Sequence, residues 1–278
     1  MGQQKRDEIS LWRDSQLHGG MEILQATCYE HSYPPHFHDE FVIAAFARGA
    51  QRTRVCRQNG IAAAGSVMII APGEVHTGEA VQRDEGWDYC AFYPGEKLIN
   101  EVAQTVLSGK GDVNFGLQGI RHDPLMARRM LHAASVMKQS HDPLEKECVM
   151  YQILNVLVGH YGERTVKGSR QSVLRADIRK AIAFLHSAYA QPLTVKEIAQ
   201  VAGLSEFYFM RTFQKMTGLS VHQYLTQIRL MRAKGLLARG MGAAQVASDI
   251  GFFDQSHLIK QFRAHFGTTP GMFAAASM

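Results

Sequence analysis

Long apolar runs are missing from this chain of 278 residues. None approaches the roughly 18 to 20 consecutive residues that a membrane-spanning helix needs. The opening stretch, Met1 to Asp14, is polar and carries charges of both signs, unlike a secretory signal. A cytoplasmic protein with no membrane partner is therefore expected. Cysteine is also scarce: Cys28, Cys56, Cys90 and Cys148 lie far apart without a CxxC pair, which argues against a zinc ribbon and against a disulfide framework. They read as reduced, mostly packing residues. No GxGxxG, no Walker-type loop and no nucleophile constellation is found, so the usual nucleotide-dependent and covalent enzyme classes have no support.

What is present is ordinary for a globular protein, with 46% apolar and 20% charged residues. The length calls for two domains. The net charge of +5 is unevenly shared: from Arg175 onward there are 12 lysines and arginines against 5 acids, a net of +7, while the preceding part carries a net of −2. A basic module joined to a neutral one suits phosphate binding, because each neutralised phosphate releases counterions.

Up to about Tyr93 the chain reads as short strands. Phe41 to Phe46 is nearly all apolar, Thr53 and Val55 alternate with arginines, and Val67 to Ile70 is a further run, with Gly49, Gly60, Gly65 and Gly73 between them. That spacing predicts a β-sandwich or barrel. After Pro94 the pattern turns helical. Asp123-Pro124 and Asp142-Pro143 each set a capping carboxylate before a first-turn proline. In the second helix Leu144, Cys148, Tyr151, Leu154, Val158 and Tyr161 form one apolar stripe, which packs on the barrel or meets its copy in a second subunit. Glu163 to Ser172 is polar, with Gly168 and Ser169, and serves as the linker. The expected boundaries are residues 1–165, a linker at 163–174, and a second domain at 175–278.

The basic part contains a faint internal repeat. Ile198, Ala199 and Gly203 fall on Val246, Ala247 and Gly251; Phe209, Phe213 and Gly218 fall on Leu258, Phe262 and Gly267 one residue later. Each copy has a short helix with a small alanine, a glycine turn, and a second helix capped by Ser205 or Asp254. This is a helix-turn-helix written twice. Between the copies, Ser220 to Arg239 reads as one helix with Val221, Tyr224, Leu225, Ile228, Met231 and Leu236 inward. At roughly 30 Å it approaches the ~34 Å repeat of B-DNA, so two recognition helices would reach successive major grooves.

The segment from about Arg175 to Phe273 resembles the DNA-binding domain of the AraC/XylS family of transcription regulators. The resemblance rests on Ile198-Ala199, Gly203, Ser205, Arg211, Phe213 and Gly218; on Tyr224-Leu225, Arg229, Ala233 and Leu236-Leu237; and on Val246-Ala247, Gly251-Phe252, Asp254-Gln255-Ser256, Phe262 and Gly267-Thr268-Thr269-Pro270. His257-Leu258 departs from the family pattern, as does the absence of an arginine shortly after the proline. The resemblance implies that Glu206, Phe207, Met210, Arg211 and Gln214 of the first unit face DNA, with Arg211 able to grip guanine O6 and N7. In the second unit it implies Gln255, Ser256, His257 and Lys260, with Gln255 suited to adenine and Lys260 to phosphate.

In the first part, His36-Phe37-His38-Asp39-Glu40 and the later Pro72-Gly73-Glu74-Val75-His76 resemble the two cupin motifs, and the region resembles the sensor barrel of AraC-type regulators. Metal-binding cupins add a glutamate four or five positions beyond the second histidine, where Val42 and Ile43 stand here. Three readings stay open: a histidine-lined pocket for a small organic effector, a metal site, and plain structural histidines. The expected effector contacts are His36, His38, Glu40, Arg54, His76 and Trp87, with no metal, no cofactor and no catalytic residue.

The resulting expectation is a two-domain regulator: an N-terminal cupin-like β-barrel with flanking helices, then an all-α domain with two helix-turn-helix units joined by a long helix. Its expected partners are double-stranded DNA, a small-molecule effector, RNA polymerase and a second copy of itself. The alternatives are a metal-dependent cupin enzyme with a DNA-tethering domain, and an architectural DNA binder with no effector.

Overall fold

The computed structural model describes residues 6–17, 20–55, 58–108, 111–116, 119–165 and 175–277. The chain divides into two compact units, Met1–Lys167 and Gly168–Ala276. Most of the expected linker, including Gly168 and Ser169, lies outside the described residues. Its first three positions do not: Glu163–Thr165 pair as a strand with Asp112–Asn114.

The first unit begins with β1 (Glu8–Asp14), β2 (Met21–Cys28), β3 (Tyr33–His36), β4 (Val42–Val55), β5 (Gln58–Ala63), β6 (Ser66–Ile70), β7 (His76–Ala80) and β8 (Trp87–Tyr93). It continues through α1 (Glu96–Val106), β9 (Asp112–Asn114), β10 (Ile120–His122), α2 (Pro124–Gln139), α3 (Pro143–Tyr161) and β11 (Glu163–Thr165). Nine strands join in the order β1-β2-β8-β4-β6-β10, with β5 and β7 also on β4 and β3 on β7. Among the described residues this sheet ends at β1 and β10, so the expected barrel is not closed. The long strand β4 is the reason for the bend. Its first half pairs with β6 and β8 and its second half with β5 and β7, and the register with β8 shifts between Phe46 and Arg48.

The Phe41 to Phe46 run is continuously apolar because the sheet is covered on both faces here. Ile43, Ala45, Val67, Ile69, Cys90 and Phe92 form one core with Leu98, Ile99 and Val102 of α1, Met126 and Met130 of α2, and Leu154 and Leu157 of α3. Val42, Ala44, Phe46, Met68, Ile70, Tyr89 and Tyr93 alternate with them and are buried on the other face. Asp123 caps α2 by accepting from the Met126 N–H at 2.9 Å, and Asp142 caps α3 by accepting from the Leu144 N–H at 2.9 Å, each before a proline. The α3 stripe needs correction. Leu154 and Val158 are buried, with Met150, Ile153 and Leu157, but Leu144, Cys148 and Tyr151 are exposed. Apolar residues occupy more than one side of this helix, so spacing alone did not select the covered face.

The second unit is helical: α4 (Ala176–Ala188), α5 (Val195–Ala202), α6 (Glu206–Thr217), α7 (Val221–Leu237), α8 (Ala243–Asp249), α9 (Gln255–Phe266) and α10 (Pro270–Ala276). Thr194 with Glu197 and Ser220 with Gln223 form capping boxes at the starts of α5 and α7. The four glycines of the repeat, Gly203, Gly218, Gly251 and Gly267, all have φ between +69° and +81°, which explains why glycine recurs there. Asp254 caps α9 through the His257 N–H at 2.7 Å; Ser205 stands at the cap position of α6 but its side chain makes no cap bond. The first core joins Ile178, Ile198, Phe209, Phe213, Leu225 and Ile228. In the second half Val246, Leu258, Phe262, Phe266 and Phe273 are buried, with the Phe262 ring 4.7 Å from Phe266 and 5.8 Å from Phe273. Of the residues expected inward on α7, Val221, Leu225 and Ile228 are buried while Tyr224, Met231 and Leu236 are half-buried. Seventeen residues make α7 about 26 Å long.

Candidate nucleic-acid interface and effector site

On α6 every residue expected to face DNA is exposed: Glu206, Phe207, Met210, Arg211 and Gln214. Their helical neighbours Phe209 and Phe213 are fully buried. The helix is thereby fixed by its aromatic side, and its opposite side is left to a partner. Phe207, 73% exposed, and the exposed Met210 three residues on leave apolar surface on this side of the helix. On α9, Gln255, Ser256 and Lys260 are exposed, while Leu258 and Phe262 are fully buried. His257 is half-buried, with its ring edge-on to Phe252 at 5.0 Å, so it is partly committed to the turn. The expectation missed Phe253, the most exposed large apolar residue described at 93%, directly before the α9 cap. Its position between buried Phe252 and capping Asp254 was the available signal. Tyr208 was also missed; its hydroxyl accepts from the Arg175 guanidinium at 2.9 Å.

In the first unit three of the six expected effector contacts come together. His36 and His76 are cross-strand partners on β3 and β7, with ring centroids 4.2 Å apart. His38 lies 5.0 Å from His36 and 5.3 Å from His76, and its ring is 5.0 Å from Tyr93. The Gly73 N–H donates to the His38 carbonyl at 2.8 Å, tying the loop before β7 to this segment. All three histidines are buried. Burial without a compensating charge pushes His76 down to about 4, so its ring is neutral at physiological pH. Tyr33, Tyr89 and Tyr93 nearby are pushed upward, again by burial, and stay protonated.

The other expected contacts differ. Trp87 is fully buried and its ring centroid lies 6.3 Å from that of Tyr89, which in turn is 6.4 Å from Tyr33. Glu40 is half-buried, and its charge helps raise Tyr93. Arg54 is exposed and does not join the cluster. Strand alternation explains it: Gln51, Thr53 and Val55 take the inner side of β4, so Arg52 and Arg54 take the outer. Arg52 pairs with Glu79 at 3.3 Å, and Arg48 is held by Asp88 at 2.7 Å. The thiols of Cys28 and Cys90, pushed up to about 12 mainly by burial, are packing residues, whereas Cys148 is exposed.

A family model described as the AraC-like ligand binding domain matches residues 18–154, and one described as a helix-turn-helix domain matches residues 198–276. The chain belongs to the AraC-type transcription regulators. A relative of nearly the same extent is the HTH-type transcriptional regulator YbfI of Bacillus subtilis, 27% identical over 252 residues, covering 90% of this chain and 89% of that one. The Msm operon regulatory protein of Streptococcus mutans is 24% identical and covers 87% of each. Among solved structures, a lysine-to-alanine variant of apo ToxT from Vibrio cholerae shares the fold at a TM-score of 0.58 and 12% identity over 99% of both chains. Wild-type ToxT with a bound unsaturated fatty acid gives 0.56 at 13%, over 97% of this chain and 95% of the other. No helix among the described residues is long and apolar enough to cross a membrane.

Proposed function

We propose that this AraC-type regulator reads a specific double-stranded DNA site with α6 and α9, and that a small molecule held around His36, His38 and His76 biases that reading. The observation that carries it is the division of both helices into a buried, largely aromatic side and an exposed side carrying charged and polar groups, joined on α6 by Phe207 and Met210. Arg211 is assigned to guanine, Gln255 to adenine and Lys260 to phosphate, flanked by Glu206, Phe207, Met210, Gln214, Ser256 and His257. The buried imidazoles and tyrosines offer converging polar groups among apolar walls, as small-molecule sites do. The fatty acid bound to a ToxT of the same fold supports control by a small-molecule effector. Glu40 and Trp87 belong to the surround of that site. The effector acts through unequal affinity for two states of the chain. The reading also includes a cytoplasmic homodimer that cooperates with RNA polymerase and catalyses nothing. The exposed Leu144, Tyr151 and Val156 of α3 support self-association.

The test is to capture genomic fragments on the purified chain, footprint them, and titrate the site over a salt series. Log affinity should fall steeply and linearly with log salt, since several cations displace counterions. A flat dependence would remove the phosphate contacts from the account.

A further inference from the structure

We infer that His36, His38 and His76 form a binding site for a divalent first-row transition-metal ion of the zinc type. One ring nitrogen from each lies within 4.8 Å of the others, and this is the group of metal-ligating side chains that converges among the described residues. The backbone builds the site, since His36 and His76 face each other across β3 and β7 and the β7 loop is tied to His38 by the Gly73 bond.

The ring orientations favour ligation. The Nδ1 of His36 is 2.7 Å from the Pro34 carbonyl oxygen, and the Nδ1 of His76 is 3.0 Å from that of Glu74. A carbonyl oxygen only accepts, so each Nδ1 carries the proton and donates. The lone pair of each ring then sits on Nε2, one of the two nitrogens through which histidine ligates, with Nδ1 held by the kind of outer bond that orients ligating histidines. At metal–nitrogen distances of about 2.0–2.1 Å, tetrahedral ligands stand about 3.3 Å apart. Closing from 4.8 Å needs each ring to shift by less than about 1 Å, within reach of small side-chain rotations.

The donor set narrows the ion. Three imidazoles with no carboxylate in the group suit zinc, nickel, cobalt or copper and disfavour magnesium, calcium and manganese, which prefer oxygen. Three protein ligands also leave a coordination position open to water or to an oxygen atom of a small molecule. Ion binding is independent of the DNA reading, and each is measured without the other.

Full-length protein stripped with a chelator would be titrated with Co²⁺ while recording visible absorption, then with Zn²⁺ as competitor and Mg²⁺ as control. One Co²⁺ per chain is expected, displaced by Zn²⁺ and indifferent to Mg²⁺. His38→Ala and His76→Ala should weaken binding by more than the roughly 10- to 100-fold that loss of an outer-shell partner costs, and His141→Ala, at an exposed position, should not. Two measurements on the unaltered chain guard against variants that fail to fold. X-ray absorption at one equivalent of zinc should count three imidazoles. Zinc should also raise the unfolding midpoint read by Trp12 and Trp87, which both lie in this unit. Substoichiometric binding, fewer than three imidazoles, or binding that survives in His38→Ala and His76→Ala overturns the inference and leaves the three histidines without a metal role, whether or not they contact an organic effector. DNA titration of stripped and zinc-loaded protein reports separately on the DNA reading.

Discussion

The turns of the two helix-turn-helix units are built on corresponding glycines whose surroundings differ, and substituting each by alanine separates backbone conformation from packing. Gly203, at φ +69°, has nothing within 4 Å of where a Cβ would stand. Gly203→Ala should therefore cost only the left-handed conformation, about 1–2 kcal/mol. Gly251, at φ +81°, has the Ala190 carbonyl oxygen 2.6 Å and the Arg229 guanidinium 2.9 Å from that point. The guanidinium cannot yield freely, because it donates to the Tyr189 carbonyl at 2.8 Å and to that of Gln191 at 3.1 Å. Gly251→Ala should add about 1–3 kcal/mol of overpacking, for a total of about 2–5 kcal/mol. Urea unfolding followed by helix circular dichroism would give both values. Tryptophan fluorescence serves as an internal control that should not move, since both tryptophans lie in the first unit. Equal losses at the two glycines would refute the claim that the second turn is packed against the 189–191 segment.

Arg211→Ala should cost about 1–3 kcal/mol of specific affinity and relax preference at one or two base pairs, whereas Lys260→Ala should weaken all sequences alike and lower the salt slope by about one; a uniform loss for Arg211→Ala would make it a phosphate contact instead. Lys146→Ala breaks the part-buried pair with Asp14, whose atoms are 2.7 Å apart, and should destabilise the first unit by up to about 3 kcal/mol in tryptophan-monitored unfolding. His265 is held below the usual histidine range, mainly by burial, so the folded second unit prefers the neutral ring. Its contribution is complete above an unfolded value of about 6.5 and is lost as pH falls below it. His265→Gln should flatten the acid limb of a helix-monitored stability profile, and an unchanged limb would count against that assignment.

The helical unit was largely readable from its residues, because caps, glycines and buried aromatics act locally and recur. Asp254, Gly203 and Phe262 each report on their own turn. The sheet was less so. The strands β9, β10 and β11 have three residues each, too short to show a period. The inner side of β4 is marked by Gln51 and Thr53 as much as by Val55, so alternation placed Arg54 on a side that hydropathy could not choose. The His36–His38 pair was visible from spacing, but its meeting with His76 depends on the β3–β7 register, which no local signal encodes. Phe253 received no role from the sequence, although Phe252 beside it takes the buried position and leaves it outward.

The connector α7 belongs to both halves of the second unit. Leu225 and Ile228 lie in the first core, Arg229 clamps the end of α4 while bordering Gly251, and the Lys234 ammonium sits 4.9 Å over the Phe266 ring. A chimaera joined anywhere along this helix would sever one of these contacts, so the smallest piece that recombination can exchange intact between relatives is the whole unit. On the proposed reading, new operator preferences would arise by point changes on the outward sides of α6 and α9, with the spacing between these two helices inherited unchanged.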